Sequence, residues 1–570
     1  MANFSKLKRF TKRTYLSEKF QANSWPAIQK YYSQLEKEPV KTPKQLEIFL
    51  RRWNELGDIV EEEAAKRYAL MTCDTADIKT AKSYEEFQTQ IRPHLKDFDQ
   101  ILERKYFNSP GRRVLKKNGL ALFDRKIAVD IKLYRIENTP LEIRESLLCQ
   151  KYQKTIGAMT AKFDGKEQTL TQIAKTLEEP NRYRRKLAWE TISKRRFHDA
   201  KTLDRIFDDL KALRIRQANN AGFKNYRDYV FQKKYRFNYS PKDCFSFHDA
   251  VAVHFVPLTK KIQEVRKGKM KLDKLKPWDL DVDPENKPPL KPFTTTAELI
   301  SGSIKVLNKV DPDFAEKLGN MNSLGLLDLD NRKGKAPGGY AETFSETRMP
   351  FIFMNAVGDS NDVRTLLHEA GHAMNSFAAR DFWLSGYRHP PMEFAEVASM
   401  GMELLTFDYL DEFYTPEDLK RAKQQKVEEM VHLLCWIATV DSFQHWIYTN
   451  PNHTIKERED KWEEICEKFN RGVDWTGYEN LKRTIWHRQL HIFELPFYYI
   501  EYGIAQLGAL QLWQNYRKDP QKTVAKYKKA LSLGGSVPLP KLFKTAGIKF
   551  ELGEKIIVSM AKFLEKELKI

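Results

Sequence analysis

His368 and His372 stand four residues apart in NDVRTLLHEAGHAMNSFAAR, and Glu369 directly follows the first of them. On a helix this spacing separates the two histidines by about 40° in azimuth and about 6 Å in rise, so both imidazoles can converge on one tetrahedral metal ion. Glu369 can then reach a water on that ion and take its proton, which is the mechanical content of an HExxH pattern. The variable positions are Ala370 and Gly371, small and uncharged, so the helix can pack closely behind the metal, and Leu366 and Leu367 supply an apolar side. Asp359 and Ser360 offer an N-cap, with Asp362 in the first turn.

Two histidines leave zinc short of the three protein ligands usual in a catalytic site. The segment PPMEFAEVASMGMELLTFDYL, residues 390–410, reads as a second helix opened by Pro390 and Pro391, with Phe394, Val397, Ala398, Met402 and Leu405 forming an apolar stripe. Glu396 falls between Ala395 and Val397. A carboxylate beside such a stripe needs a partner, because burying it unpaired is costly, and zinc would be that partner. Glu393 and Glu403 are its rivals. Both read as solvated acids, although Glu403 lies on a face similar to that of Glu396 and can hydrogen-bond a ligand histidine.

A second histidine pair, His487 and His491 in RTIWHRQLHIFELPFYYIEYGIA, repeats the four-residue spacing, but Arg488 follows the first histidine, so no acid is placed to activate water. A lone histidine on an apolar helix is more often a hydrogen-bonded core residue. His491, Tyr498 and Tyr502 nonetheless fall at i, i+7 and i+11, one helical face, with Pro496 between them to kink it. Their imidazole and phenol groups are suited to stabilising an oxyanion.

The elements that must hold these groups are mostly helices. Leu46, Phe49, Leu50 and Trp53, then Leu56 and Val60, follow helical spacing, and Gly and Pro number only 25 each among 570 residues. Residues 1–190 read as helical hairpins forming one lobe, and 191–570 as a catalytic region with a second helical lobe. The prolines of 266–293 predict a loop crossing between sub-structures. The stretch APGGYAETFSETRMPFIFMN, residues 336–355, breaks the helical pattern and predicts a small sheet beside the metal helix. There the strand-like TFSETRMPFIFMN can bind substrate backbone as an added strand, Gly338 and Gly339 allow close approach, and Gly339 and Tyr340 are candidate substrate contacts.

The formal net charge is +20, from 97 Lys and Arg against 77 Asp and Glu. The cations alternate with acids, as in KQQKVEEMVHLL, which reads as a solvated surface and not as a specific nucleic-acid site. No apolar run is long enough to span a bilayer, and the basic N-terminus lacks the apolar core of a secretory signal. Five scattered cysteines, with no CxxC pair, fit reduced thiols and a cytoplasmic setting. Nothing in the sequence sets an oligomeric state.

These residues resemble the thimet oligopeptidase and oligoendopeptidase F family of zinc metallopeptidases, closest to the oligoendopeptidase F branch with its Pz-peptidases. Beyond HEAGH, the match covers Phe394-Ala395-Glu396-Val397-Ala398-Ser399, which is similar to the family's metal-glutamate motif Phe-x-Glu-x-x-Ser, together with KLKPWDLDV, GGY followed by PFIFMN, PFYYIEYGIA and LSLGGSVPLPKLFKTAGI. The resemblance implies a mainly α fold with two helical lobes around a deep substrate channel and a small sheet beside the metal helix. It implies one Zn²⁺ per chain on His368, His372 and Glu396, and cleavage of internal bonds in short unstructured peptides. It carries the oxyanion role to His491, Tyr498 and Tyr502 with a spacing shorter than in the thimet branch, so Tyr499 competes with Tyr498. Two other readings remain: a helical zinc carboxypeptidase, which needs a cation for a free carboxylate, and an inactive, basic helical interaction protein.

Overall fold

The computed structural model describes residue 4 and residues 6–570. Helix accounts for 69% of the chain and strand for 4%, as the helical spacing predicts. The elements used below, in chain order, are helices α1 (Pro43–Cys73), α2 (Pro241–Lys269), α3 (Ser360–Ala379), α4 (Met392–Leu405), α5 (Pro416–Thr449) and α6 (Tyr499–Tyr516). The strands are β1 (Thr160–Phe163), β2 (Lys166–Thr169), β3 (Leu327–Asp330), β4 (Tyr340–Phe344) and β5 (Met349–Ala356). The start of α1 illustrates the local logic. Thr42 accepts from the Gln45 amide, the Gln45 side chain answers the Thr42 amide, and Pro43 sits where no amide is needed. The predicted apolar positions Leu46, Phe49, Leu50, Leu56 and Val60 are buried along it.

The chain forms two compact units. Unit 1 combines residues 1–132, 291–420 and 508–550; unit 2 combines 133–290, 421–507 and 551–570. The chain therefore passes between units at five points, one of them 290/291 inside the proline-rich crossing, where a single division near residue 190 is expected from sequence. Helical spacing says which segments are helical but not which of them share a core.

In unit 1, β5 is the middle strand of a three-stranded sheet, parallel to β3 and antiparallel to β4, with Ala341 opposite Ile352. Phe351, Ile352 and Phe353 are fully buried, each contributing about 1.5–3 kcal/mol. This is the sheet predicted from residues 336–355. In unit 2, the hairpin of β1 and β2 departs from the all-helical reading of residues 1–190. Its turn is Asp164-Gly165, both at positive φ, a pair that matches the twist of a tight hairpin. That dipeptide was a legible signal.

Candidate metal centre

The loop leaving β5 turns directly into α3. Asp359 caps the helix by accepting from the Asp362 amide at 3.0 Å, and Asp362 Oδ2 accepts from the amides of Val357, Gly358 and Asp359 at 2.7, 2.8 and 3.1 Å. Gly358 sits at φ +93°, where a side chain would be strained. This rigid corner sets the register that turns His368 and His372 to one side.

Gly371 explains why α4 can meet them. A Cβ there would lie 2.6 Å from Ala398 O and 2.6 Å from Ser399 Cα, so α3 and α4 touch backbone to backbone. The buried Tyr527 hydroxyl donates to the same Ala398 O at 2.6 Å and holds α4 in place. Glu396 is thereby brought to the histidines. His368 Nε2 is 3.5 Å and His372 Nε2 3.8 Å from Glu396 Oε2, and the three ligand atoms lie within 4.8 Å of one another. Bonds of about 2.0–2.2 Å to one tetrahedral ion place ligand atoms about 3.3–3.5 Å apart, so this donor set fits zinc with little movement. Replacing Gly371 by Ala should force the two helices apart. The expected result is a loss of about 1–3 kcal/mol in denaturant unfolding together with a lower bound-metal content. Unchanged values of both would show that the close crossing does not matter to the site.

The surrounding groups orient the ligands. His368 Nδ1 lies 2.8 Å from Glu403 Oε1, and Ser399 Oγ donates to Glu396 Oε2 at 3.1 Å. Glu403 thus fixes the His368 ring so that Nε2 faces Glu396. Burial alone would raise the Glu396 carboxyl, but the hydrogen bond from His368 and the positive charge each histidine carries when protonated hold it down at about 2. Burial lowers His372 to about 4, so this imidazole is neutral and can ligate. The Glu393 carboxylate is also buried, against the expectation of a solvated acid, but it is not among the converging ligand atoms.

Glu369 is buried on the same helix. Burial, followed by the negative charges of Glu396 and Glu403, raises its carboxyl to about 7, while the charge of His368 and a hydrogen bond from the Ala341 amide oppose that rise. Ala341 lies on β4, an edge strand of the sheet, so the strand and Glu369 adjoin. A Cβ on Gly339 would lie 3.4 Å from Phe353 O and 3.4 Å from the Thr365 methyl. The Tyr340 ring stacks on Phe353 with 4.9 Å between centroids, and its hydroxyl is 2.6 Å from Thr72 Oγ1, so what Tyr340 offers a ligand is main chain.

In unit 2, His487 is a core residue: it is buried, its Nε2 is 3.1 Å from Asp204 Oδ1, and its carbonyl accepts from the Tyr152 hydroxyl at 2.9 Å. His491 and the tyrosines do gather, but not on one helical face. The helix ends at Glu494 and α6 begins at Tyr499, with Phe497 at φ +60° between them. Pro496 sits in a chain reversal, a sharper break than the kink expected. Across it, the His491 ring is 5.6 Å from Tyr498, 4.9 Å from Tyr499 and 5.8 Å from Tyr502. Tyr499 is buried, its hydroxyl engaged by Trp436 and Gln489, whereas Tyr498 and Tyr502 are half-buried.

Sequence reading missed two features. Ser399 appears there only as part of the family motif, with no role, although three residues after Glu396 is a spacing at which helical side chains meet, so its bond to Glu396 could have been found. Buried Cys244, Asp441 and His445 form a second group of ligand-type atoms within 4.8 Å, with His248 Nε2 2.8 Å from Asp441 Oδ2. Asp441 and His445 stand four apart on α5 and Cys244 and His248 four apart on α2, but the two pairs are distant in sequence and only the fold of unit 2 joins them.

A mainly helical chain with two imidazoles, a carboxylate and an adjacent buried glutamate on a shared helix pair has the site of a metal-dependent hydrolase. The family model for peptidase family M3 matches residues 176–562, and the chain belongs to that family. It is similar to the oligoendopeptidase F homolog of Mycoplasma pneumoniae, 24% identical over 316 residues that cover 52% of this chain and 51% of that protein. It is also similar to oligopeptidase PepF of Bacillus subtilis, 24% identical over 420 residues that cover 71% and 60% of the two chains. The matched part thus spans between 51% and 60% of these two relatives' length. Among solved structures, Pz peptidase A with an inhibitor superposes with a TM-score of 0.90 at 27% identity, covering 98% of this chain and 99% of that one. The expected family and mainly α fold are therefore confirmed.

Proposed function

We propose that this protein is a zinc-dependent oligoendopeptidase that cuts internal bonds of short, unstructured peptides. The observation that carries the reading is the approach of His368 Nε2 and His372 Nε2 to one oxygen of Glu396, with Glu369 beside them on α3. One Zn²⁺ per chain, held by these three residues, would act as a Lewis acid and lower the pKa of a water to about 7. Glu369 accepts the proton of the attacking water and returns it to the leaving amine. An extended peptide adds along β4, with the main chain of Gly339 and Tyr340 as its first contacts, which favours loose sequence preference. His491, Tyr498 and Tyr502 stabilise the developing oxyanion; the family resemblance and the half-buried setting of the two tyrosines support them over buried Tyr499.

The five free thiols fit a reducing cytoplasmic setting. Among the described residues, no helix is long and apolar enough to cross a membrane. Digestion of an internally quenched peptide, with the fragments weighed, tests the activity. Internal cleavage with folded proteins spared is the expected result. Release of single C-terminal residues would replace the reading with a carboxypeptidase, and a metal-free, inert protein would favour the interaction-protein reading.

A further inference from the structure

KLKPWDLDV carries part of the family resemblance yet supplies nothing to the metal centre. Its buried Asp279 is gripped by two arginines, Arg182 at 2.8 Å and Arg185 at 3.0 Å, which pins the loop in unit 2. Beside this anchor, Asp281 lines a cavity of about 310 Å³ formed entirely within unit 2. That volume lies in the range of small-molecule sites. Trp189 and Trp475 give the wall an aromatic surface, and three arginines, Arg196, Arg471 and Arg488, also line it.

Among the described residues, no carboxylate forms an ion pair with any of these three guanidiniums, and Asp281 is the one acid on the wall. The cavity thus carries three positive charges against one negative. Arg471 and Arg488 both stand over the Trp436 indole, 5.7 and 5.9 Å from its centroid, and the charge of Arg471 repels that of Arg488. Arg488 and Asp281 remain accessible to water. Protein nonetheless surrounds them closely enough that burial, followed by repulsion from Arg196 and Arg471, lowers Arg488 to about 10, and burial raises Asp281. Clustered cations of this kind are disfavoured until an anion joins them, and planar guanidiniums match an oxyanion in charge and geometry.

We propose that this cavity binds a small ligand carrying an oxyanion, a carboxylate or phosphate, on an apolar or aromatic body. Arg471 and Arg488 grip the anion, and Trp189 and Trp475 face the body. The ligand is either a free small anion or the terminal carboxylate of a peptide; the second source rests on the peptidase reading, the first does not.

The test is calorimetric titration of the full-length, metal-loaded protein with N-acetyltryptophan, N-acetyltryptophan amide and inorganic phosphate at matched ionic strength. Saturable binding of N-acetyltryptophan is expected, with weaker phosphate binding, and the uncharged amide should bind at least tenfold more weakly. Arg471→Gln and Arg488→Gln should each weaken carboxylate binding by about ten- to a hundred-fold, the contribution of one charge-assisted hydrogen bond. If either variant fails to fold, the acid and amide comparison in the unmodified protein decides. No saturable binding of either anion, equal binding of acid and amide, or binding unchanged in both folded variants would overturn the proposal. Peptide pairs ending in carboxylate or amide separate the sources: a lower KM for the acid, lost in Arg488→Gln, assigns the peptide terminus, and equal KM values assign a free anion. Arg488-dependent anion binding by a protein without peptidase activity would uphold this site and sink the enzymatic reading.

Discussion

Glu369→Gln is expected to keep its metal and lose turnover by about a hundred- to ten-thousand-fold, the usual contribution of a positioned general base. The substitution preserves shape and removes only the ability to take a proton. It should not harm folding, because Glu369 is a buried acid already raised to about 7 by burial and by the charges of Glu396 and Glu403. A neutral amide relieves that repulsion. Glu396→Gln should give the opposite pattern: bound zinc, measured by atomic absorption after gel filtration, falls well below one per chain. The amide loses the anionic oxygen that both histidines approach and that the Ser399 hydroxyl steadies. If Glu369→Gln emptied the site, or Glu396→Gln retained full metal, the division between base and ligand would be wrong. A metal content of two per chain would instead direct attention to Cys244, Asp441 and His445.

Tyr498→Phe and Tyr502→Phe are expected to lower kcat by about a hundred- to a thousand-fold each, the cost of removing one oxyanion donor. Zinc content should be unchanged, since neither residue belongs to the ligand group. Tyr499→Phe is the internal comparison. Its hydroxyl is buried and held by Trp436 and Gln489, so losing it should cost stability more than turnover. Paired measurements of kcat and unfolding midpoint on the three variants separate the roles. Should Tyr499→Phe alone be inactive while the other two stay near normal, the oxyanion role moves to Tyr499.

Much of the metal centre was legible because its information is local. HEAGH fixes the relative placement of two imidazoles and a carboxylate through helix geometry alone, and Asp359 with Asp362 marks where that helix begins. The cost of leaving a carboxylate on an apolar stripe favoured Glu396, the resemblance to the family's Phe-x-Glu-x-x-Ser motif chose it over Glu393, and the small sheet followed from its aromatic runs after paired glycines. What one helix cannot encode is its distance from another. The backbone contact at Gly371, the Tyr527 hydrogen bond that steadies α4 and the grip of Glu403 on His368 arise only when segments far apart in sequence pack together. The same holds for His491 and its tyrosines. Their spacing suggested one helical face, yet the chain reverses at Phe497 and tertiary packing gathers the rings by another route. It holds most strongly for the division of the chain at five crossings and for the arginine-lined cavity, because shared cores and converging charges depend on which helices meet, and periodicity along a single helix carries no record of its neighbours.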